Sequence, residues 1–262
     1  MVSAQPLKRE LYTMQNLFDL FDPVQGKDPD FNKSFEEIVH ENGYIFETHE
    51  VVTEDGYILN MFRIKKEQNV PQGRPAVFLQ HGITDSADCW IMNYADKAPA
   101  FRLLNEGYDV WLGNQRGTKY SMGHTTLSTK SKEYWEFSFT EMGRFDAPAQ
   151  VDYIRASTGV DKVSFIGHSQ GTAQMFYAIP SREDFWKERL NLFVALAPIT
   201  RLDHTKSTIF KQMAKHYKVL TSMTNLAHIY DFFGPLSQEA TKIACGLIPA
   251  FCQFAEGFLI TQ

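Results

Sequence analysis

Residues 162–178, KVSFIGHSQGTAQMFYA, run a short apolar β-type stretch into Gly-His-Ser-Gln-Gly and straight on into a helix-like stretch. That layout constrains the fold more than any other feature of the chain. A serine between a strand and a helix, flanked two residues away on each side by glycine, sits on a turn too tight for an ordinary backbone. The spacing predicts that Ser169 takes a strained conformation, with Gly167 and Gly171 leaving room for the adjoining strand and helix. Its hydroxyl then stands clear at the strand's end, and the helix that follows points its first N–H groups at the same place.

The surrounding segments predict what holds that turn. FETHEVVT (46–53) and YILNMFRI (57–64) are β-rich runs joined by Glu54-Asp55-Gly56, and Asp-Gly between two such runs signals a hairpin. PAVFLQH (75–81), YDVWLGN (108–114), KVSFIGH (162–168) and LFVALAP (192–198) are short, continuous apolar runs. They alternate with helix-like stretches at about 95–106, 146–157 and 170–179, which points to a parallel sheet covered on both faces. After Pro198 no further apolar strand bounded by turn residues is evident.

Composition narrows the function classes. A net charge of −5 gives no electrostatic reason to expect a nucleic-acid partner. No uninterrupted apolar run reaches the roughly 18 residues a membrane-spanning helix needs, and the N-terminus lacks a secretory-signal layout. Cys89, Cys245 and Cys252 form no metal-ligand pattern and are too few for a disulfide framework.

Acyl transfer needs a nucleophile, two N–H donors for the tetrahedral oxyanion, and a base. Ser169 fits the first role. The backbone N–H groups of Gln170 and Ile83 fit the second, with Gly82 of LQHGITDS letting the loop after the third strand approach closely. The base is the difficulty. Downstream of Ser169 the candidates are His204, His216 and His228, with Asp203 and Asp231 as acids, and all three histidines read better as surface or helix residues. His168 reads as packing beneath the turn. A triad from Asp203 with His216 or His228 is the weaker alternative.

The chain resembles the acid lipase family of α/β-hydrolases, to which gastric and lysosomal lipases belong. The matching blocks are YIFETHEVVTEDGYILNMFRI, PAVFLQHGITDSADCWIMN, GYDVWLGNQRGTKYSMGHTTLS, YWEFSFTEMGRFDAPAQVDYI, VSFIGHSQGTAQMF and FVALAP, spread over about residues 36–210. The resemblance implies an α/β-hydrolase fold and hydrolysis of fatty-acyl esters, such as triacylglycerols or sterol esters, without metal or organic cofactor. It carries the nucleophile role to Ser169 and the oxyanion role to Gln170 and Ile83. It also implies that Asn114, Arg116 and Gly117 form an Arg-centred structural network.

Relatives of this family continue past Gln262 through the strands bearing the acid and the histidine. The expected organisation is therefore an N-terminal arm (1–35), the N-terminal portion of the hydrolase core (36–200) and a partial helical cap (201–262). The last strands would be missing. Residues 192–198 would form an exposed sheet edge that a protein partner covers, and the acid and base would come from another chain. The other reading is a non-catalytic, lipase-derived binding module within a larger assembly.

Overall fold

Six α-helices of seven residues or more and seven strands follow one another among the residues that the computed structural model describes, Asp30 and residues 33–226. The first helix, α1 (Phe35–Glu41), starts at a capping box: Ser34 Oγ accepts from Glu37 N–H at 3.2 Å and Glu37 Oε2 accepts from Ser34 N–H at 2.7 Å. Strands β1 (Ile45–Val52) and β2 (Tyr57–Lys65) form the expected hairpin, in register from Ile45 opposite Lys65 to Val52 opposite Ile58. Next come β3 (Ala76–Gln80), α2 (Pro99–Asn105), β4 (Asp109–Gly113) and the two-residue β5 (Gly123–His124). The rest is α3 (Ala147–Thr158), β6 (Val163–His168), α4 (Gln170–Ser181), α5 (Glu183–Arg189), β7 (Leu190–Leu196) and α6 (Thr208–Leu226).

The sheet order is β1-β2-β4-β3-β6-β7, with β5 paired to β2. β1, β2 and β4 are joined antiparallel, and β4, β3, β6 and β7 are parallel. All five residues of β3 and of β4 are buried, as expected for central strands covered on both faces. One face packs Val77, Leu79, Val110 and Leu112 against α1 and α2; the other packs Phe78, Trp111 and Phe165 against α3 and α4. Phe78 and Phe165 meet edge to face, with centroids 5.1 Å apart.

The bounds of β7 differ from the sequence expectation. The strand spans 190–196 rather than 192–198, because α5 delivers the chain directly at Leu190 and Ala197, at φ 47°, ends the extended run before Pro198. The exposed edge expected at 192–198 therefore lies at 190–196. Among the described residues β7 has β6 as its single neighbour, and Leu192 and Leu196 are 54% and 43% exposed.

Between Met142 and Asp146 the helix leading into α3 widens to a π turn. Pro148 has no N–H to offer the carbonyl of Arg144, so the regular ladder cannot run through this point. Gly143 lies in the turn because a Cβ there would sit 2.4 Å from the Gln174 carbonyl oxygen. Most of the expected N-terminal arm, and Cys245, Cys252, His228 and Asp231, lie outside the described residues.

Candidate active site

Ser169 joins β6 to α4 at φ 51° and ψ −115°. A non-glycine residue in that region costs about 1–3 kcal/mol, which the surroundings must hold in place. The two glycines show how. A Cβ on Gly167 would lie 2.7 Å from Gly171 O, and one on Gly171 would lie 2.5 Å from Gln80 O and 2.8 Å from His81 O. Only hydrogen fits where β6, α4 and the end of β3 converge.

Hydrogen bonds fix the serine's main chain. Its N–H donates to Leu196 O at 3.0 Å, at the end of β7. Its carbonyl accepts from Thr172 N–H at 2.9 Å and from Thr172 Oγ1 at 2.6 Å. The same hydroxyl, fully buried, accepts from Ile199 N–H at 2.9 Å. Thr172 thereby ties the loop after β7 to the serine. Nothing in the spacing of the motif pointed to this residue.

The loop after β3 runs alongside. A Cβ on Gly82 would come within 3.0 Å of Ser169 Cβ and 3.3 Å of His168 Nδ1, which places the half-buried His168 ring against this loop. Ile83 follows, 60% exposed, and then Thr84 at φ 62°. Among the described residues neither Ile83 N–H nor Gln170 N–H donates a backbone hydrogen bond. For Gln170 the reason is general, since the first N–H groups of a helix have no acceptor within it.

His81 anchors this loop. It is buried; Nδ1 donates to Gly82 O at 2.7 Å and Nε2 accepts from Gln115 N–H at 3.2 Å. Gln115 returns a bond, Nε2 to His81 O at 3.0 Å. A carbonyl can only accept and an N–H can only donate, so the pair of contacts selects the neutral Nδ1–H tautomer. Burial depresses the imidazole's pKa to about 4, which keeps it in that form.

The Arg-centred network expected at Asn114-Gln115-Arg116-Gly117 is present. Arg116 is buried, stacks on Tyr57 with its guanidinium carbon 3.8 Å from the ring centroid, and bridges two carboxylates. It reaches Asp146 Oδ1 from Nε at 2.8 Å and Asp55 Oδ2 from Nη1 at 2.6 Å. Asp55 is held below the usual carboxylate range: burial opposes ionisation, but the Arg116 and Thr53 hydrogen bonds prevail. Asn114 links Ala87 N–H to Asn60 O, both at 2.9 Å. Asp55 and Asp146 are the partners that sequence reasoning missed. They lie 61 and 30 residues from Arg116, and only the tertiary fold brings them together.

Three non-glycine residues have positive φ among the described residues: Thr84, Ser169 and Ala197. They stand on the loops that follow β3, β6 and β7, all at the C-terminal edge of the parallel sheet, where ligands bind in open α/β sheets. The histidines fall elsewhere. Among the described residues no imidazole hydrogen-bonds to Ser169. His204 is 93% exposed and pairs with Asp203 at 3.3 Å, while Asp203 is also gripped by Arg201 at 2.6 Å. His216 is exposed on α6.

Known proteins align with this architecture. Residues 35–94 match a partial alpha/beta-hydrolase lipase region, and residues 75–222 match the alpha/beta hydrolase fold. Human lipase member K is 41% identical over 70% of this chain, and bovine gastric triacylglycerol lipase 41% identical over 72%. The aligned parts are 46% and 48% of those proteins, so the chain spans about half the length of the relatives it matches. Rat gastric triacylglycerol lipase is 40% identical over 90% of this chain and 62% of its own length. With the matched fold covering more than half of its residues, the chain belongs to the α/β-hydrolase family and carries that family's lipase-type region.

Proposed function

We propose that this polypeptide is the nucleophile-bearing part of a carboxylic ester hydrolase acting on fatty-acyl esters of the triacylglycerol or sterol-ester kind. Ser169 Oγ attacks the acyl carbonyl carbon as its proton passes to an imidazole, and the carbonyl electrons move onto oxygen. The Ile83 and Gln170 amides hold that oxyanion, aided by the positive end of α4. Collapse breaks the bond to the alcohol, which leaves with the proton. Water then repeats the sequence on the acyl-serine and releases the fatty acid.

The observation that carries this reading is the strained Ser169 beside Gly82, with two unengaged amides on the flanking segments. The substrate class comes from the lipase relatives. The carboxylate and imidazole come from outside residues 33–226, on a polypeptide that adds to the edge of β7; among the described residues that strand has an open side, and its end already holds Ser169 N–H.

A fluorophosphonate probe tests the reading. Ser169 is expected to label rapidly when the chain is combined with a C-terminal lipase polypeptide carrying an Asp and a His, and slowly without it. No acceleration under any reconstitution overturns it, and a partner that docks on β7 without bringing an imidazole near Ser169 marks a binding module instead.

A further inference from the structure

Between the buried His81-Gly82 pair and the short helical turn at Ala87–Trp90, the loop after β3 crosses Ile83, Thr84 and Asp85. Among the described residues none of these three makes a backbone–backbone hydrogen bond, and Thr84 stands at φ 62°. The direction of the Ile83 N–H is therefore set by whatever holds the two ends of this bridge. The near end is fastened by the His81–Gln115 exchange. The far end is fastened by Asp88.

Asp88 gathers three donors on one carboxylate. Tyr120 Oη donates to Oδ1 at 3.0 Å, Lys119 Nζ reaches Oδ2 at 2.8 Å, and the hydroxyl of the buried Ser86 donates to the same Oδ2. Ser86 is the first residue after the bridge, so its bond to Asp88 fixes where the bridge ends. Of the two arms that reach across from the neighbouring loop, Lys119 has a side chain 46% exposed, and such a pair contributes little. Tyr120 is the firm arm. Its carbonyl accepts from Asn60 Nδ2 at 2.7 Å, and its ring meets Phe62 edge to face with centroids 4.8 Å apart. Burial and the adjoining Asp88 carboxylate push its hydroxyl above the usual tyrosine pKa, which keeps it a donor.

Gln115, Lys119 and Tyr120 all belong to the segment between β4 and β5, and so does Asn114, which holds Ala87 N–H at 2.9 Å. One segment thus carries both anchors, and the bridge bearing Ile83 is strung across it. We propose that Asp88 and Tyr120 are positioning residues that hold the Ile83 N–H where the oxyanion forms. They act through Ser86 and the bridge rather than on the substrate. The proposal rests on the ester-hydrolase reading of Ser169, and its test includes a readout that needs no chemistry.

That readout is the amide nitrogen–proton correlation spectrum of the full chain. In D88A and Y120F the Ile83 and Thr84 resonances are expected to shift, while those of Gln170 and Thr172, across the cradle, stay in place. The second readout is the rate of Ser169 phosphonylation by a fluorophosphonate with the C-terminal lipase polypeptide present. D88A is expected to slow it about 100-fold, the cost of displacing a group at the reacting centre by about 1 Å, and Y120F by less. D88N, whose amide oxygen still accepts from Tyr120, is expected to recover most of the rate. Y108F deletes an exposed hydroxyl just before β4, at the opposite edge of the sheet, and should match the native chain in both readouts.

Circular dichroism checks that the variants fold. If D88A does not, Y120F and D88N carry the comparison. Undisplaced Ile83 resonances in the variants, a native rate of phosphonylation in D88A and Y120F, or a D88N variant as slow as D88A each overturns the proposal. Displaced Ile83 resonances in a chain whose Ser169 stays unreactive under every reconstitution would instead sink the hydrolase reading and leave the anchor standing.

Discussion

Strands β3 and β7 have similar apolar sequences, run parallel and end at the same edge of the sheet, yet their surroundings are opposite. β3 lies between β4 and β6 with every residue buried, and the loop after it is locked by the His81–Gln115 exchange. Among the described residues β7 has one neighbour, no fully buried residue, and an end held by the Leu196 carbonyl and the Thr172 hydroxyl. Apolar character makes a strand, but its neighbours decide how firmly it is held. Ser169 bridges both situations: one side rests on a finished core and the other on an edge with backbone groups to spare.

The largest expected effect is on chemistry at that bridge. In the reconstituted enzyme S169A should lower kcat on the order of 10⁶-fold, with substrate affinity nearly unchanged. Retained turnover would place the nucleophile elsewhere. On the finished side, R116M removes one partner of a buried ion pair and leaves Asp146 uncompensated, so denaturant unfolding should show a loss of about 3–5 kcal/mol. A loss below about 1 kcal/mol, typical of a surface pair, would contradict the bracing role.

His81 gives a pH signature. Its pKa is about 4 in the fold and near 6.5 when unfolded, so between those values the unfolded chain takes up a proton that the folded chain refuses. Its contribution is complete above pH about 6.5 and falls as pH drops toward about 4, by about 3 kcal/mol in all. Asp146, pushed up to about 6 by burial, pulls the opposite way, so the quantity to measure is the difference in pH slope between the native chain and H81Q. Identical slopes would remove His81 from the loop's support.

On the edge side the effects shrink. T172V leaves Ile199 N–H without its acceptor and Ser169 O without one donor, and should cost about 1–3 kcal/mol and slow phosphonylation of Ser169. T172S should restore both; recovery of stability without recovery of rate would mean that Thr172 does not position the serine. L192K on the exposed edge should change stability by less than about 0.5 kcal/mol, whereas a lysine at Leu79 in β3 should prevent folding. A large cost at Leu192 would show that this strand is covered in the free protein.

Much of this was legible in the sequence where the cause is local. Asp55-Gly56 marked the hairpin, apolar runs marked β3, β4 and β6, and Gly167 and Gly171 marked the strained serine between them. Features with non-local causes were not legible. The π turn at 142–146 depends on α4 packing against Gly143, and β5 is two residues long and exists only as a partner of β2. His81 looked like the end of a strand, since its partner Gln115 lies 34 residues away. The apolar pattern starts β7 two residues late because α5, which that pattern does not reveal, hands the chain over at Leu190.

The most direct measurement is a crystal structure of the reconstituted protein after fluorophosphonate treatment. The phosphonyl group should be bonded to Ser169 Oγ, with its oxygen about 2.7–3.1 Å from the N–H groups of both Ile83 and Gln170. A phosphonyl group on any other residue, or on Ser169 with its oxygen turned away from both amides, would contradict the assignment of this turn as the nucleophile and anion cradle.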